Sequence, residues 1–319
     1  MRRNRRGNIT YPTVMKIKDL NNLNNTITVH METNPGRTIT PDSATSYYLA
    51  KKGQAPVKID LVNLQPSNGD ITPNETWYFG VHGWTGSYKF TPLVPELVTE
   101  IHNHGPANVI LVDWEDGASN LYYPTAVQSA KLVGSKVADV INNLVKAGIA
   151  QPNKVHLIGF SLGGHVVGFI GKSLYSKYNW KPKKITSIDP AGPMYDDNPS
   201  DDRLDSKDGE YVEVFHTCGD QLGFWKPVGH VDIYVNRGLS SQPPCGLLDD
   251  VGGSCSHQFG KTVYGKYTHL QMKAYKCKSF HDFTKGRCGD DINQACEVGF
   301  KYSQCSEGVY HLNTELYFK

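Results

Sequence analysis

Lys154–Lys172 reads KVHLIGFSLGGHVVGFIGK. Val155, Leu157 and Ile158 make an apolar run too short for a helix and suited to a buried strand. Gly159-Phe160-Ser161-Leu162-Gly163 follows, and then Val166, Val167, Phe169 and Ile170 recur at helical spacing. Strand, sharp turn and helix with a serine at the turn is the geometry of a nucleophile elbow. So tight a turn strains the backbone of Ser161, and side chains at Gly159 or Gly163 would collide with the crossing strand and helix. Ser161 then stands at the top of a sheet and at a helix N-terminus, where backbone N–H groups can hold an oxyanion. A glycine-rich turn with an idle serine is the competing reading, and the flanking strand and helix weigh against it.

Working outward, the same strand-helix alternation repeats. Thr76–Val81 is a buried-type strand ending at His82-Gly83-Trp84, and Glu96–His104 reads as a short helix. Val109–Val112 is a strand leading to Asp113. Thr125–Lys146 is the clearest helix, with Ala126, Ala130, Val133, Val137, Val140, Ile141 and Leu144 in one apolar stripe. Lys184–Asp189 and Glu210–His216 are further strands. Alternation of this kind makes an α/β fold with a mostly parallel central sheet flanked by helices. Thr26–Glu32 and Pro56–Leu64 alternate apolar and polar residues, as half-exposed antiparallel strands do. Residues 1–25 are polar and rich in Arg and Asn and read as a loose basic N-terminal arm, leaving 26–319 as one domain.

The whole chain narrows the function classes. With 319 residues, 39% hydrophobic and 20% charged, it can build one large core. A formal net charge of +2 supplies no field for nucleic acid, which is not an expected partner. No apolar run approaches about 18 residues, so no transmembrane segment is expected. The seven cysteines, at 218, 245, 255, 277, 288, 296 and 305, all lie in the last third. Their clustering reads as a disulfide framework, and so as a secreted, extracellular chain. No C-x-x-C or H-x-x-x-H pair supports zinc. The opening Met1–Arg6 carries no apolar signal core, and the cysteines outweigh that.

A serine hydroxyl needs a histidine to take its proton and a carboxylate to hold that histidine. In elbow hydrolases the chain order is Ser, Asp or Glu, His. Asp189 ends the first strand after the elbow helix, where catalytic carboxylates belong. Asp205, Asp208 and Asp232 fall in polar stretches and read as solvated. Six histidines follow, at 216, 230, 257, 269, 281 and 311. Residue chemistry alone leaves all six open, with His257 favoured somewhat by Cys255 two positions earlier.

Several segments together resemble the pancreatic-lipase family of secreted animal lipases, in its one-domain insect-type branch of phospholipase A1 and neutral lipase enzymes. They are VHGWTGS (Val81–Ser87), VDWEDGA (Val112–Ala118), YPTAVQSAKLVG (Tyr123–Gly134), the elbow, IDPAGP (Ile188–Pro193), RLDSKDGEYVEVFHT (Arg203–Thr217), GHVDIYVN (Gly229–Asn236) and CSH (Cys255–His257). The resemblance implies an α/β-hydrolase fold with Ser161 as nucleophile, Asp189 as acid and His257 as base. It implies oxyanion N–H groups from Trp84 and Leu162. His82, His165, His216 and His230 would shape the site or core. Two departures stand out: Cys218 replaces an aspartate in the HTD pattern, and Phe259 replaces an arginine two residues after the base. Arg203, Asp205 and Asp208 match part of a structural calcium site of some members. The acid expected three residues before Arg203 is Ser200, so no metal is expected, and no cofactor.

The same resemblance implies disulfides Cys245–Cys255, Cys277–Cys288 and Cys296–Cys305, with Cys218 odd. The first would close a lid loop of only nine residues, Gly246 to Ser254, whose large aliphatic residues include Leu247 and Leu248. Family members with so short a lid resemble phospholipase A1 enzymes. The expected activity is therefore release of the sn-1 fatty acid from phospholipid at a membrane or micelle surface, with little interfacial activation. Lys226 is a candidate contact for the phosphate, with a merely solvated lysine as the favoured reading. A neutral triacylglycerol lipase or galactolipase is the same-class alternative. A non-catalytic lipid-binding or yolk-type protein is the other, set against the presence of all three triad residues. The chain ends soon after the last matching segment, so no C-terminal β-sandwich and no colipase dependence are expected.

Overall fold

The computed structural model describes residues 2–3, 9–19, 22–32, 44–64, 71–246, 249, 253–300 and 305–317. Two small ribbons come first: β1 (Arg2–Arg3) with β2 (Ile9–Thr10), and β3 (Val14–Asp19) antiparallel with β4 (Asn22–His30). The central sheet then takes eleven strands among the described residues. These are β5 (Ser46–Ala50), β6 (Val57–Ile59), β7 (Thr76–Val81), β8 (Ala107–Asp113), β9 (Val155–Phe160), β10 (Lys184–Ile188), β11 (Val212–His216), β12 (Val231–Val235), β13 (Met272–Lys276), β14 (Ala295–Val298) and β15 (Gly308–Leu312). Their order is β14-β13-β15-β12-β11-β10-β9-β7-β8-β5-β6. The run from β15 to β8 is parallel, and an antiparallel pair finishes each edge. The helices are α1 (Pro95–Asn103), α2 (Glu115–Ala118), α3 (Tyr123–Lys146), α4 (Leu162–Tyr178), α5 (Ser254–Lys261) and α6 (Phe280–Thr284). This is the α/β-hydrolase architecture that the elbow foretold.

Both faces of the sheet are covered, which is why its central strands are mostly apolar. All six residues of β9 are buried. On one face α4 lies against the sheet with α3 packed over it, and Val133, Val137, Ile141 and Leu144 of α3 join Val166 and Ile170 of α4 in one core. Gly134 lets those helices close up, since a Cβ there would sit 2.5 Å from Phe169 Cβ. On the other face α1 and α5 cover Ile158, Phe160, Ile188 and Phe215 with Leu97, Ile101, Phe259 and Val263. Burying each such side chain is worth about 1.5–3 kcal/mol before entropy is counted.

Three expectations are corrected. The stretch read as a loose arm contains β3, which pairs with β4 because Met15 and Ile17 alternate with Lys16 and Lys18 and turn inward, where both are buried. Of Pro56–Leu64 only Val57–Ile59 is strand, since the Asp60 carboxylate accepts from the N–H groups of Val62 and Asn63 and turns the chain. Asp208 and Asp232 are buried, not solvated. Asp208 pairs with Lys172, and Asp232 accepts from the N–H groups of Val228 and Gly229 beside the His216 ring.

A buried polar row crosses the sheet. His156 Nε2 donates to Thr186 Oγ1 at 2.9 Å, Thr186 Oγ1 donates to Glu213 Oε1 at 2.7 Å, and Lys184 pairs with Glu213 at 2.8 Å. Burial, with the Lys184 charge behind it, holds His156 well below the usual histidine range. The native ring therefore stays neutral where the unfolded chain takes up a proton, and its contribution to stability is lost as pH falls through about 6.5. Replacing His156 with Gln keeps a donor but removes the titration. Between pH 6 and 5 the wild type is expected to lose about 1 kcal/mol more unfolding free energy than His156→Gln, measured by urea denaturation.

Candidate active site

Ser161 caps the step from β9 into α4 with φ 57° and ψ −125°, a left-handed conformation that costs a non-glycine residue about 1–3 kcal/mol. The turn closes because its neighbours lack side chains. A Cβ on Gly159 would lie 2.2 Å from the Gly163 carbonyl oxygen, and one on Gly163 would lie 2.4 Å from that of Val81. The Ser161 N–H donates to the Ile188 carbonyl at 3.0 Å, and the Ser161 carbonyl accepts from Ala191 N–H at 3.2 Å, tying the elbow to the exit of β10.

That exit carries Asp189, itself at φ 42° and wholly buried. Its Oδ1 accepts from the N–H groups of Thr217 at 2.7 Å and Cys218 at 3.0 Å, and its Oδ2 lies 2.5 Å from His257 Nδ1. Gly223 makes room for this carboxylate, since a Cβ there would sit 2.6 Å from Oδ1. Cys218, the departure from the family pattern, still serves through its main chain. Its buried thiol donates to the Gly253 carbonyl at 3.3 Å, and burial pushes that thiol well above the usual range.

His257 comes from α5, a helix that Cys245–Cys255 pins at its start. Its ring lies 4.7 Å from that of Phe160, and Phe259, two residues further along the helix, is buried in the second core layer. The structure also joins Cys277–Cys288 and Cys296–Cys305 and leaves Cys218 as a thiol. The other later histidines are engaged elsewhere. His216 Nδ1 meets the Phe224 carbonyl and its Nε2 meets Asp232. His230 accepts from Val212 N–H, and His311 faces Asp290. His269 and His281 are exposed.

Ser161 and His257 share the walls of one cavity with Trp84, Tyr123, Leu222 and Pro193. Among the described residues no hydrogen bond joins Ser161 Oγ to His257; such contacts commonly tighten when substrate binds. The loop leaving β7 closes on the elbow, where a Cβ on Gly83 would lie 2.8 Å from Ser161 Cβ. His82 fixes that loop. Its Nδ1 donates to the Gly83 carbonyl at 2.9 Å and its Nε2 accepts from Trp114 N–H at 3.1 Å. The backbone N–H groups of Trp84 and Leu162 have no acceptor among the described residues. His165 Nε2 donates to the Ala191 carbonyl and its Nδ1 accepts from Leu204 N–H, while burial drives its pKa to about 3.

Other expected contacts fall differently. Lys226 Nζ donates to the Asp196 carbonyl at 2.7 Å and lies 3.5 Å from Asp197, away from the cavity walls. Asp205 and Asp208 cap each other's short turn, and Arg203 lies 3.7 Å from Asp205. Leu247 and Leu248 lie outside the described residues. Sequence reasoning missed Met15, Ile17 and Met31, which line the cavity from the N-terminal ribbon. The alternation of Met15-Lys16-Ile17-Lys18 was the available signal.

The lipase family profile matches residues 67–319. Lipase member H of Rattus norvegicus is 32% identical over 255 residues, covering 78% of this chain and 54% of its own. Lipase member H of Danio rerio is 34% identical over 229 residues, 70% of this chain and 49% of its own. Lipoprotein lipase of Homo sapiens is 36% identical over 255 residues, 73% of this chain and 50% of its own. The chain spans about half the length of these curated relatives. A solved phospholipase/carboxylesterase of Dyadobacter fermentans superposes loosely, at TM-score 0.34 and 10% identity over 56% of this chain and 73% of its own. With the profile spanning most of the residues and relatives above 30% identity across more than two thirds of them, the chain belongs to the pancreatic-lipase family.

Proposed function

We propose that this protein hydrolyses carboxylic esters of lipids through Ser161, His257 and Asp189, and that it acts as a phospholipase A1. The observation that carries the reading is the 2.5 Å contact between Asp189 Oδ2 and His257 Nδ1 at the wall of the cavity that holds the strained serine. Ser161 Oγ attacks the ester carbonyl while His257 Nε2 takes its proton, and Asp189 holds the ring in the tautomer with Nδ1 protonated. The N–H groups of Trp84 and Leu162 receive the oxyanion. The imidazolium then protonates the leaving alkoxide, and water repeats the cycle to free the fatty acid.

Three disulfides support an extracellular site of action, and no helix of the described residues is long and apolar enough to cross a membrane. The nine-residue loop between Cys245 and Cys255 favours phospholipid, since a small cover leaves room for a charged head group in water. The cavity walls favour a second reading, triacylglycerol lipase, because Trp84, Tyr123, Leu222 and Pro193 are indifferent to what the glycerol carries at its third position. The test is a rate panel on phosphatidylcholine, phosphatidylserine, a galactolipid and a triglyceride, with the fatty acid at sn-1 labelled. Release of the sn-1 label from phospholipid, at least about tenfold faster than from triglyceride, is expected. The reverse order moves the assignment to neutral lipase and leaves the triad in place.

A further inference from the structure

The cavity at Ser161 is narrow. It measures about 40 Å³ as reached by the centre of a water-sized sphere, room for about three waters. Sites that bury a drug-sized ligand run to about 300–1,000 Å³. The element that narrows it from above the elbow is the β3–β4 hairpin. Met15 and Ile17 point inward, are buried, and line the cavity together with Met31. Their side chains occupy space that a long acyl chain would need beside the serine.

The hairpin is held unevenly. At its open end His30 N–H donates to the Leu121 carbonyl at 2.8 Å, Met31 N–H donates to the Thr13 carbonyl at 2.8 Å, and the His30 ring stacks on Tyr122 at 4.6 Å. Tyr11 reaches Asp196 at 3.0 Å. Toward its tip, the hydrogen bond found to the rest of the protein among the described residues is a long one, from Lys18 N–H to Ser254 Oγ at 3.4 Å, on the helix that carries His257. Among the described residues the hairpin joins no larger sheet, and its one bridge outside itself is His30 to Tyr122 at the open end. An isolated two-stranded ribbon is marginal in water and depends on what its apolar face rests against. A lipid layer offers that face an equivalent resting place.

Charge supplies the direction. Residues 1–31 hold Arg2, Arg3, Arg5, Arg6, Lys16 and Lys18 against a single acid, Asp19. The whole chain is only +2, so the remainder is net acidic and the basic charge is concentrated on this one segment. A basic segment beside an apolar face is drawn to anionic lipid surfaces.

We infer that the N-terminal hairpin is the surface by which this protein engages an anionic lipid interface, its Met15–Ile17 face leaving Ser161 for the lipid and opening the site. This rests on the esterase reading above. The short disulfide loop alone gave no reason to expect an interfacial jump; the hairpin does.

The test uses the full chain and a soluble short-chain ester, with or without vesicles of phosphatidylcholine alone or containing phosphatidylserine. Anionic vesicles are expected to raise the wild-type rate about tenfold or more and to remove hydrogen-exchange protection from the amides of residues 15–18. Lys16→Glu, at an exposed position off the cavity wall, should keep the vesicle-free rate and lose a large part of the stimulation. Ile17→Glu should raise the vesicle-free rate several-fold and bring the stimulation ratio toward one. Unchanged rate and unchanged protection in the wild type on anionic vesicles overturn the inference, whether or not Ile17→Glu folds. Equal stimulation by neutral vesicles overturns the anionic part. A serine-directed phosphonate separates the two levels. If it labels Ser161 without any vesicle effect, the hairpin inference fails and the esterase reading stands; if it labels nothing with or without vesicles, both fall.

Discussion

Ser161→Ala is expected to lower the turnover of a soluble ester by about 10⁴- to 10⁶-fold, the scale of loss when the nucleophile of a serine triad is removed. The size follows from what remains. The backbone N–H groups of Trp84 and Leu162 and the Asp189–His257 contact are left in place, but the hydroxyl oxygen proposed to form the acyl intermediate is gone. A small residual rate reflects the oxyanion donors and binding alone. Stability should hardly change, because alanine meets the same φ of 57° as serine, and Ser161 Oγ makes no hydrogen bond to His257 whose loss would be felt. Purified variant and wild type are compared by steady-state rate and by thermal unfolding. Turnover near the wild-type level in a folded Ser161→Ala protein would remove the elbow from the chemistry.

What could be read from the sequence followed the range of the interactions involved. The elbow was legible because its constraints are local: Gly159, Ser161 and Gly163 answer to atoms within a few residues or on the adjoining strand. Central strands were legible because burial on both faces leaves a short, mostly apolar run, as in Val155–Phe160, where His156 is the one ionisable residue. The contact between Asp189 and His257 was not, since the two are 68 residues apart and meet only through the sheet. The helix carrying His257 left little trace. Ser254–Lys261 is eight residues, SCSHQFGK, poor in strong helix formers and held by a disulfide and by Phe259 in the core. Asp232 misled because polar neighbours suggest solvent, whereas its two backbone donors and His216 let the fold bury it. The N-terminal hairpin was hidden by its Asn-rich surroundings, with only two inward residues on β3 to signal a strand.

Asp189→Asn is expected to cost about 10⁴-fold in turnover while leaving the fold nearly untouched. The substitution is isosteric, and the amide oxygen can keep the two N–H groups of Thr217 and Cys218 that the carboxylate Oδ1 now accepts at 2.7 and 3.0 Å. Those donors fix which way the amide faces: its nitrogen is left at the Oδ2 position, 2.5 Å from His257 Nδ1 in the wild type. An amide N–H there makes Nδ1 an acceptor and moves the imidazole proton to Nε2, the nitrogen that has to accept the serine proton. The base is then present, correctly placed and in the wrong tautomer. Asp189→Ala makes the contrast. It leaves two buried N–H groups without a partner, each worth about 1–3 kcal/mol, so it should lose stability as well as rate. Measuring rate and urea midpoint for both variants separates tautomer from packing. A loss smaller than tenfold in Asp189→Asn, with the midpoint preserved, would mean that this carboxylate holds the loop after β11 and does not orient the base.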